Sequence, residues 1–144
     1  MSQAPIVTST AFDSSARERL LRFLAARGKV SETEVIALTP DASTREYFRF
    51  PWKRKTAIAA VYPEPFDPNF HPYLDVTGLF LEAELPVPQI YEVEATLGII
   101  VQEDLGDRQL RLVYESASEE ECEGFKDQAI GLIAQIQGAS ARAA

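Results

Sequence analysis

The residues best suited to chemistry in this sequence stand in a polar turn that runs into a strand. The stretch reads Asp41-Ala42-Ser43-Thr44-Arg45-Glu46-Tyr47-Phe48-Arg49. Small polar residues in such a turn can present backbone N–H groups and hydroxyls to an anion, and an arginine adds a planar charged fork that matches phosphate. We therefore predict a phosphate-binding turn formed by Asp41, Ser43, Thr44 and Arg45. The alternative is an Asx-type β-turn in which these polar side chains only close the loop.

A second stretch with chemical potential is Gln102-Glu103-Asp104-Leu105-Gly106, where a predicted strand ends in a glycine turn. Backbone N–H and C=O groups at a strand end are not all used by the sheet, so they can hydrogen-bond the edge of a planar base. The alternative is a solvated strand end with no ligand.

Composition limits the classes of function. The chain has 144 residues, of which 46% are hydrophobic, and this is ordinary for one globular domain with a core. Its net charge of -8 argues against nucleic acid and against an anionic membrane as partners. Cys122 is the only cysteine, which excludes a disulfide within the chain. With no leader-like segment and no long apolar run, we predict a cytoplasmic protein.

The elements that must position these stretches begin with a helix and a three-stranded meander. A capping box at Ser15 and Glu18 predicts a helix from about Ser15 to Arg27. Alternation from residue 35 to 39 and from 46 to 50 predicts two strands joined by a turn at residues 40–44. Residues 51–55 are expected to form an exposed connection to a third strand at Thr56 to Tyr62.

The second half alternates between helix and strand. Pro68 or Pro72 stands near the start of a predicted inserted helix, which lies between Asp67 and Leu85. Residues 89–94 and 99–103 then predict a hairpin, and Ser118 with Glu121 caps a last helix. This order indicates an α+β fold with a five-stranded antiparallel sheet, an inserted helix, an N-terminal helix and a C-terminal helix.

The sequence also suggests domain boundaries. We expect a disordered N-terminus at 1–14, a sheet domain at 15–106, an exit segment with one helix at 107–137 and a disordered tail at 138–144. The helix in the segment 107–137 has one apolar face, and we predict that this exposed face associates with another surface. The residues on this face are Phe125, Ala129, Leu132, Ile133 and Ile136.

Three segments together carry a resemblance to a known family. They are the stretch from Leu38 to Arg49, Leu85-Pro86-Val87-Pro88-Gln89-Ile90-Tyr91, and Val101-Gln102-Glu103-Asp104-Leu105-Gly106. In this order they resemble the N-terminal lobe of the aminoglycoside phosphotransferase and choline kinase-like enzymes. Within that family they are most similar to the bacterial N-acetylmuramate and N-acetylglucosamine anomeric kinases. The resemblance spans roughly Ser15 to Ile136.

The resemblance implies a protein-kinase-like N-lobe that binds ATP, with Mg²⁺ in the complete enzyme. Asp41 to Arg45 would cover the phosphates, and Gln102, Asp104 and Leu105 would belong to the hinge that contacts adenine. Ala59 and Val61 would line the adenine pocket. The family's third-strand lysine is missing here, and Arg45 is our candidate substitute.

The resemblance also implies that the catalytic Asp and the Mg²⁺ ligands belong to a C-terminal lobe, so we assign no catalytic and no metal-binding residue. His71 precedes Pro72 at a helix start and is expected to have a capping or surface role. Glu119, Glu120 and Glu121 suit the first turn of a helix.

The sequence therefore predicts the N-lobe of an ATP-dependent phosphotransferase that acts on a hydroxyl of a small molecule, with an amino sugar or sugar as the acceptor class. Alone, the chain is expected to bind Mg-ATP weakly or not at all and to be inactive. The alternative is a non-catalytic, kinase-like interaction module that associates with a partner or with a second copy through its C-terminal helix.

Overall fold

The computed structural model describes residues 14–28 and 30–143, with side chains described as far as residue 141. The predicted disordered segment at residues 1–14 lies, except for Ser14, outside the described residues. The α+β class and the five-stranded antiparallel sheet are confirmed. The helices are α1 (Ala16–Ala25), α2 (Pro72–Glu82), α3 (Leu110–Ser116) and α4 (Glu119–Ala143). The strands are β1 (Ile36–Ala37), β2 (Glu46–Trp52), β3 (Lys55–Val61), β4 (Ile90–Glu94) and β5 (Ile99–Glu103).

The chain divides into two compact units. The sheet unit contains the described residues up to Pro68 together with Gln89–Asp104, and the helical unit contains Asn69–Pro88 together with the residues from Leu105 onward. The inserted helix α2 is therefore grouped with α3 and α4, whereas the sequence suggested one domain at 15–106. The proposed boundaries at 15, 106 and 137 remain predictions.

The sheet is antiparallel throughout, with the strand order β1-β2-β3-β5-β4. The middle strand β3 pairs with β2 on one side, where Phe48 faces Ala59, and with β5 on the other, where Val101 faces Ala59. Directly opposed residues in antiparallel strands share a face, so this register fixes which side chains meet. A 3-10 turn at Ala95–Leu97 joins β4 to β5 as the predicted hairpin.

One face of the sheet is covered by α1. The predicted capping box is present: the Glu18 N–H donates to Ser15 Oγ, and the Ser15 N–H donates to the Glu18 carboxylate. Leu20 and Phe23, which are 0% and 1% exposed, face the sheet, and full burial of such a side chain contributes about 1.5–3 kcal/mol. The sheet residues in this core are Phe48, Phe50, Ala57, Ala59, Val61, Ile99 and Val101.

A buried arginine ties α1 to the end of β3. Arg19 is 4% exposed, and its Nη1 donates to the carbonyls of Tyr62 at 2.9 Å and Leu97 at 2.7 Å. Burial lowers the pKa of the guanidinium, and the nearby Glu46 carboxylate opposes this shift. Gly98 lies against the same group with φ 70°, and a Cβ there would stand 2.9 Å from the Glu64 carbonyl oxygen. This corner is thus packed around a glycine.

The β2–β3 connection is shorter than expected. The sequence suggested an exposed link at residues 51–55, but Pro51 and Trp52 belong to β2 and only Lys53 and Arg54 form the turn. Trp52 continues the row of apolar side chains from Phe50, and their rings meet edge to face at 5.8 Å. Lys53 adopts a left-handed φ of 54°, which tight hairpin turns often require.

In the helical unit, α2 begins at Pro72 as the sequence suggested, with His71 at the N-cap. His71 is buried, so a surface role is wrong and the capping position is right. The helix ends in a Schellman-type bond from the Leu85 N–H to the Phe80 carbonyl, with Glu84 left-handed at φ 59°.

The sequence missed α3 and underestimated α4. The cap of α4 was predicted correctly, because the Ser118 hydroxyl and the Glu121 carboxylate make reciprocal bonds to backbone N–H groups. The helix then continues through Gly138 to Ala143, where we expected a tail without regular structure. Alanine favours helix strongly enough to extend an existing one. No helix in the described part of the chain is long and apolar enough to cross a membrane.

Two glycine-to-alanine substitutions should have opposite effects. We expect Gly98→Ala to destabilise the protein by about 1–3 kcal/mol, because the new methyl group meets backbone oxygen at a positive φ. Gly131→Ala, in the middle of α4 with no atom within 4 Å of the new Cβ, should be neutral or stabilise by up to about 1 kcal/mol. Urea unfolding measures both. Equal effects from the two substitutions would contradict this account of the Gly98 corner.

Candidate functional site

The predicted phosphate-binding turn forms an Asx-type turn in the structure. The Ser43 N–H donates to Asp41 Oδ1 at 2.8 Å, and hydrogen bonds from Ser43 lower the pKa of the Asp41 carboxyl. No residue from 41 to 45 has a positive φ, so an anion-binding nest built on a left-handed residue is not formed here. Thr44 is exposed. The turn is thus the Asx-type β-turn of the alternative interpretation, and its exposed polar groups remain accessible to a ligand.

Arg45 has the surroundings of a preorganised cation. Its guanidinium lies 5.5 Å from the ring centroid of Tyr62 and 5.9 Å from that of Tyr47. Nη1 also donates to the Tyr62 hydroxyl at 3.3 Å, and this hydrogen bond raises the pKa of Arg45. Burial raises the pKa of Tyr47, so this side chain faces the cation as a neutral phenol at pH 7. The side chain is half-buried and restricted, which reduces the entropy lost when it meets an anion.

The second predicted segment is tied to the sheet through Asp104. The Asp104 carboxylate accepts Arg49 Nε at 2.7 Å and Arg49 Nη2 at 3.0 Å, which is a bidentate pair. It also accepts the Thr56 hydroxyl at 2.7 Å. The Asp104 side chain is only 8% exposed. The assignment of Asp104 to the hinge that contacts adenine stays a prediction, and its carboxylate holds the end of β5 against β2 and β3.

The remaining residues of this segment differ in position. Gln102 is half-buried on β5, directly opposite Ile58. The Glu103 N–H donates to the Gln89 carbonyl at 2.8 Å, so this donor belongs to the sheet edge. Leu105 is 68% exposed and belongs to the helical unit.

The two predicted adenine-lining residues lie on the covered face of the sheet. Ala59 and Val61 are 0% and 1% exposed and belong to the core under α1. A ligand could not touch either side chain without displacing α1. Because side chains alternate along a strand, the neighbouring residues Ile58 and Ala60 lie on the other face of the sheet. The structure thus corrects the face that was assigned to β3.

The face opposite α1 brings the polar candidates together. Arg49, Ile58 and Gln102 form one row across β2, β3 and β5, and Tyr47, Ala60 and Ile100 form the next. Arg45 stands beyond the second row beside Tyr62, and Asp104 lies beyond the first. Ile58, Ala60 and Ile100 are buried in this structure. The face therefore has a cation at one end, a polar cluster at the other and apolar side chains between them.

The length of this face suits an elongated ligand. Glu46 pairs with Val61 at the Arg45 end, and Ala57 pairs with Glu103 at the other end. Ala57 to Val61 spans about 13 Å of strand. An extended nucleoside triphosphate has a comparable distance from its base to its terminal phosphate.

Sequence reasoning missed the roles of Arg49, Thr56 and Tyr62. Arg49 was named only as part of the turn-and-strand motif, yet it makes the bidentate contact with Asp104. The sequence did place Arg49 two residues before Pro51 and on the same strand face as Tyr47, which was the available signal that its side chain acts on that face. The partner could not be read from the sequence, because Asp104 lies far along the chain.

Comparison with known proteins gives one relevant match. The chain is 32% identical over 79 residues to the N-acetylmuramate/N-acetylglucosamine kinase of Pseudomonas aeruginosa. The aligned part covers 55% of this chain and 23% of that kinase, so the match reaches about a quarter of the relative's length. No family model matches the chain. The similarity supports a kinase-like relation.

The bond between Asp104 and Arg49 yields a prediction about stability. We expect Asp104→Leu to destabilise the protein by roughly 3–5 kcal/mol, because it leaves the half-buried Arg49 cation without its partner. The double change Arg49→Met with Asp104→Leu should cost less than Asp104→Leu alone, because no charge is then left uncompensated. Both are measured by urea unfolding.

The control for this pair is the exposed bridge between Lys126 and Glu123, whose side chains are 60% and 66% exposed. Glu123→Gln should change stability by less than about 0.5 kcal/mol. A double variant less stable than Asp104→Leu would show that the ion pair is not what holds this end of β5.

Proposed function

We propose that this chain is the nucleotide-binding lobe of a phosphotransferase that transfers the terminal phosphoryl group of ATP to a hydroxyl of a small molecule. The amino sugars named for the bacterial relative define the proposed acceptor class. The observation that carries the proposal is the shared face on which Arg45 and the Gln102–Asp104 segment stand at opposite ends. A cytoplasmic location and Mg²⁺ as the companion of ATP belong to the same proposal.

Arg45 is the proposed phosphate contact. A guanidinium offers two parallel N–H donors to phosphate oxygens, and the neighbouring Tyr47 and Tyr62 rings limit its motion. This cation would take over the charge neutralisation that a third-strand lysine supplies in the kinases that this sequence resembles. Ser43 and Thr44 add hydroxyl donors beside it.

The base would lie toward the other end of β3. Ile58 and Ala60 are the apolar side chains of the proposed face and are buried in this structure, and Gln102 stands in the row of Ile58. Asp104 acts indirectly here: with Arg49 and Thr56 it fixes the strand end whose backbone would meet the base. Ala59 and Val61 would support this wall from the opposite side of the sheet.

The chemistry expected of such a lobe is positioning. Phosphoryl transfer depends mainly on orienting the nucleotide and neutralising its charge, while an acidic side chain orients the acceptor hydroxyl and further carboxylates hold Mg²⁺. None of the described residues is assigned to the latter roles. We therefore expect this chain to bind nucleotide without turning it over.

The nucleotide site is tested by titrating Mg-ATP into the protein and following binding by calorimetry or NMR. We expect weak, millimolar binding because Ile58 and Ala60 are buried, and no ADP above background with N-acetylglucosamine as acceptor. Arg45→Ala should weaken binding roughly tenfold or more, since a charge-assisted hydrogen bond contributes about 1.5–3 kcal/mol.

Arg54→Ala is the matched control for Arg45→Ala, because Arg54 is exposed in the turn at the opposite end of β2. It should leave the affinity for Mg-ATP unchanged. Equal losses from both variants would indicate a nonspecific charge effect, and equal affinity of Arg45→Ala and the parent protein would reject the phosphate assignment. Turnover measured with this chain alone would reject the proposal that it binds nucleotide without turning it over.

A second candidate function is a non-catalytic interaction module that associates with a second copy through α4. The observation that favours it is the exposure of Ile130 at 64% and Ile133 at 55%, one helical turn apart. Leu132 and Ile136 extend the same apolar surface at 39% each. Buried against a partner, such side chains would remove apolar area from water.

Light scattering at increasing concentration separates the two candidates. If association through α4 is the function, the protein is a dimer and Ile133→Glu makes it monomeric, because a charge would be buried at the interface. Gly131→Glu, on the same helix outside this stripe, should leave the dimer intact. A monomer at all concentrations removes the second candidate.

A further inference from the structure

A cleft of about 530 Å³ lies in the sheet unit on the side of the sheet that α1 covers. It stands where the C-terminal end of α1 meets the Lys53-Arg54 turn, and we call it the hairpin cleft. Its volume is within the range of small-molecule sites. The residues that matter for its chemistry are Leu24, Arg27, Trp52, Lys53, Tyr91 and Glu92.

The floor of the hairpin cleft is aromatic and firmly held. The Trp52 and Tyr91 rings are parallel to within 6°, with centroids 6.5 Å apart. Phe50 meets Trp52 edge to face at 5.8 Å, and the Lys55 ammonium lies 4.8 Å from the Tyr91 centroid. Leu24 and Phe50 are buried behind this floor, and the partly buried Trp52 and Tyr91 rings are the apolar surface that a ligand ring can meet.

The charged side chains around the hairpin cleft differ in whether they already have a partner. Arg27 is already engaged, because its Nε donates to Glu92 Oε1 at 2.6 Å and its guanidinium stacks 3.7 Å from the Phe23 centroid. The Glu92 carboxylate is neutralised by the same pair. Within the described chain, the Lys53 side chain has no hydrogen-bond or ion-pair partner. Glu94 also lies 3.6 Å from the Arg27 guanidinium, so among the charged lining residues it is Lys53 whose charge is available to a ligand.

The local charge contrasts with the rest of the protein. Lys53, Arg54 and Lys55 stand consecutively in a chain whose net charge is -8. The turn that carries them is closed by the Trp52–Lys55 pair and holds Lys53 in a left-handed conformation at the cleft wall. A cation held beside an apolar floor in an acidic protein selects for an anion that also has apolar surface.

We infer that the hairpin cleft is a binding site for a small organic anion that carries an apolar ring. The ring lies on the surface formed by Trp52 and Tyr91, and the carboxylate or phosphate of the ligand meets the Lys53 ammonium. This site is separate from the proposed nucleotide face, because Arg45 stands at the other end of β2 and on the opposite side of the sheet. The inference goes beyond the proposed function and does not depend on it.

Trp52 makes the test direct, because it is the only tryptophan in the sequence. Its indole N–H gives a single cross-peak in a proton–nitrogen correlation spectrum of the labelled full chain. We expect this cross-peak to move saturably when phenylacetate is added. Acetate lacks the ring and phenylethanol lacks the charge, so each should bind at least about tenfold more weakly than phenylacetate.

Matched variants assign the effect to Lys53. Lys53→Gln should weaken phenylacetate binding roughly tenfold, while Lys53→Arg keeps the charge and most of the affinity. Arg54→Gln, the neighbouring cation outside the cleft lining, should bind within about twofold of the parent protein. Arg45→Ala should have no effect, which separates this outcome from any failure of the nucleotide proposal.

Either of two results would overturn the inference. One is a cross-peak that moves linearly, without saturation, for all three probes. The other is unchanged affinity in Lys53→Gln, with its spectrum showing that the fold is intact.

Discussion

The packing of α1 against the sheet decides which side chains of the sheet unit remain to meet a ligand on the other side. Leu20, Phe23 and Leu24 lie on the alternate residues of β2, β3 and β5 that point toward the helix. Since side chains alternate along a strand, the next residue of each strand must point away from α1. This constraint puts Arg45, Arg49 and Gln102 on one face. The same constraint puts Ala59 and Val61 on the face that α1 covers.

Two arginines, the buried Arg19 and the half-buried Arg49, fix the opposite ends of this arrangement. Arg19 binds the carbonyls that follow β3 and precede β5, and Arg49 binds the carboxylate that follows β5. Buried charges of this kind often add little net stability relative to well-packed apolar groups, but breaking one side of the contact is costly. Their consequence here is geometric. The ends of β3 and β5 stay in register, so the 13 Å between them, at about 3.3 Å per residue, is a defined length.

Local patterns predicted much of the fold because their causes are local. The capping boxes at Ser15 and Ser118 require residues only three positions apart, and Pro72 is suited to the first turn of α2. The strand beside Tyr47 follows from period-two alternation, whereas the strand beside Ile100 begins as a short apolar run. Two elements were predicted wrongly for different reasons. Helix α3 has no side-chain cap that could mark its start in the sequence. Pro51 is part of β2 because the strand continues to pair with β3 beyond it.

The candidate site could be read from the sequence only in part. The position of Arg45 in a polar turn before a strand was visible, but its partner Tyr62 directly follows a different strand, β3. The face of β3 could not be determined from its own residues, because Thr56 to Tyr62 is apolar on both sides and gives no alternation to read. Only the pairing of Phe48 and Val101 with Ala59 resolves it.

The nucleotide face and the hairpin cleft share β2 yet should act as independent sites. Arg45 immediately precedes the strand and Trp52 ends it, which separates them by roughly 20 Å at about 3.3 Å per residue. They also point to opposite sides of the sheet, and groups this far apart without common partners have nearly additive effects. Coupling between them would need a movement of the strand itself. The Arg49 bond to Asp104 holds the strand at the base end of the nucleotide face and resists that movement, so a change at Arg45 should not disturb the cleft.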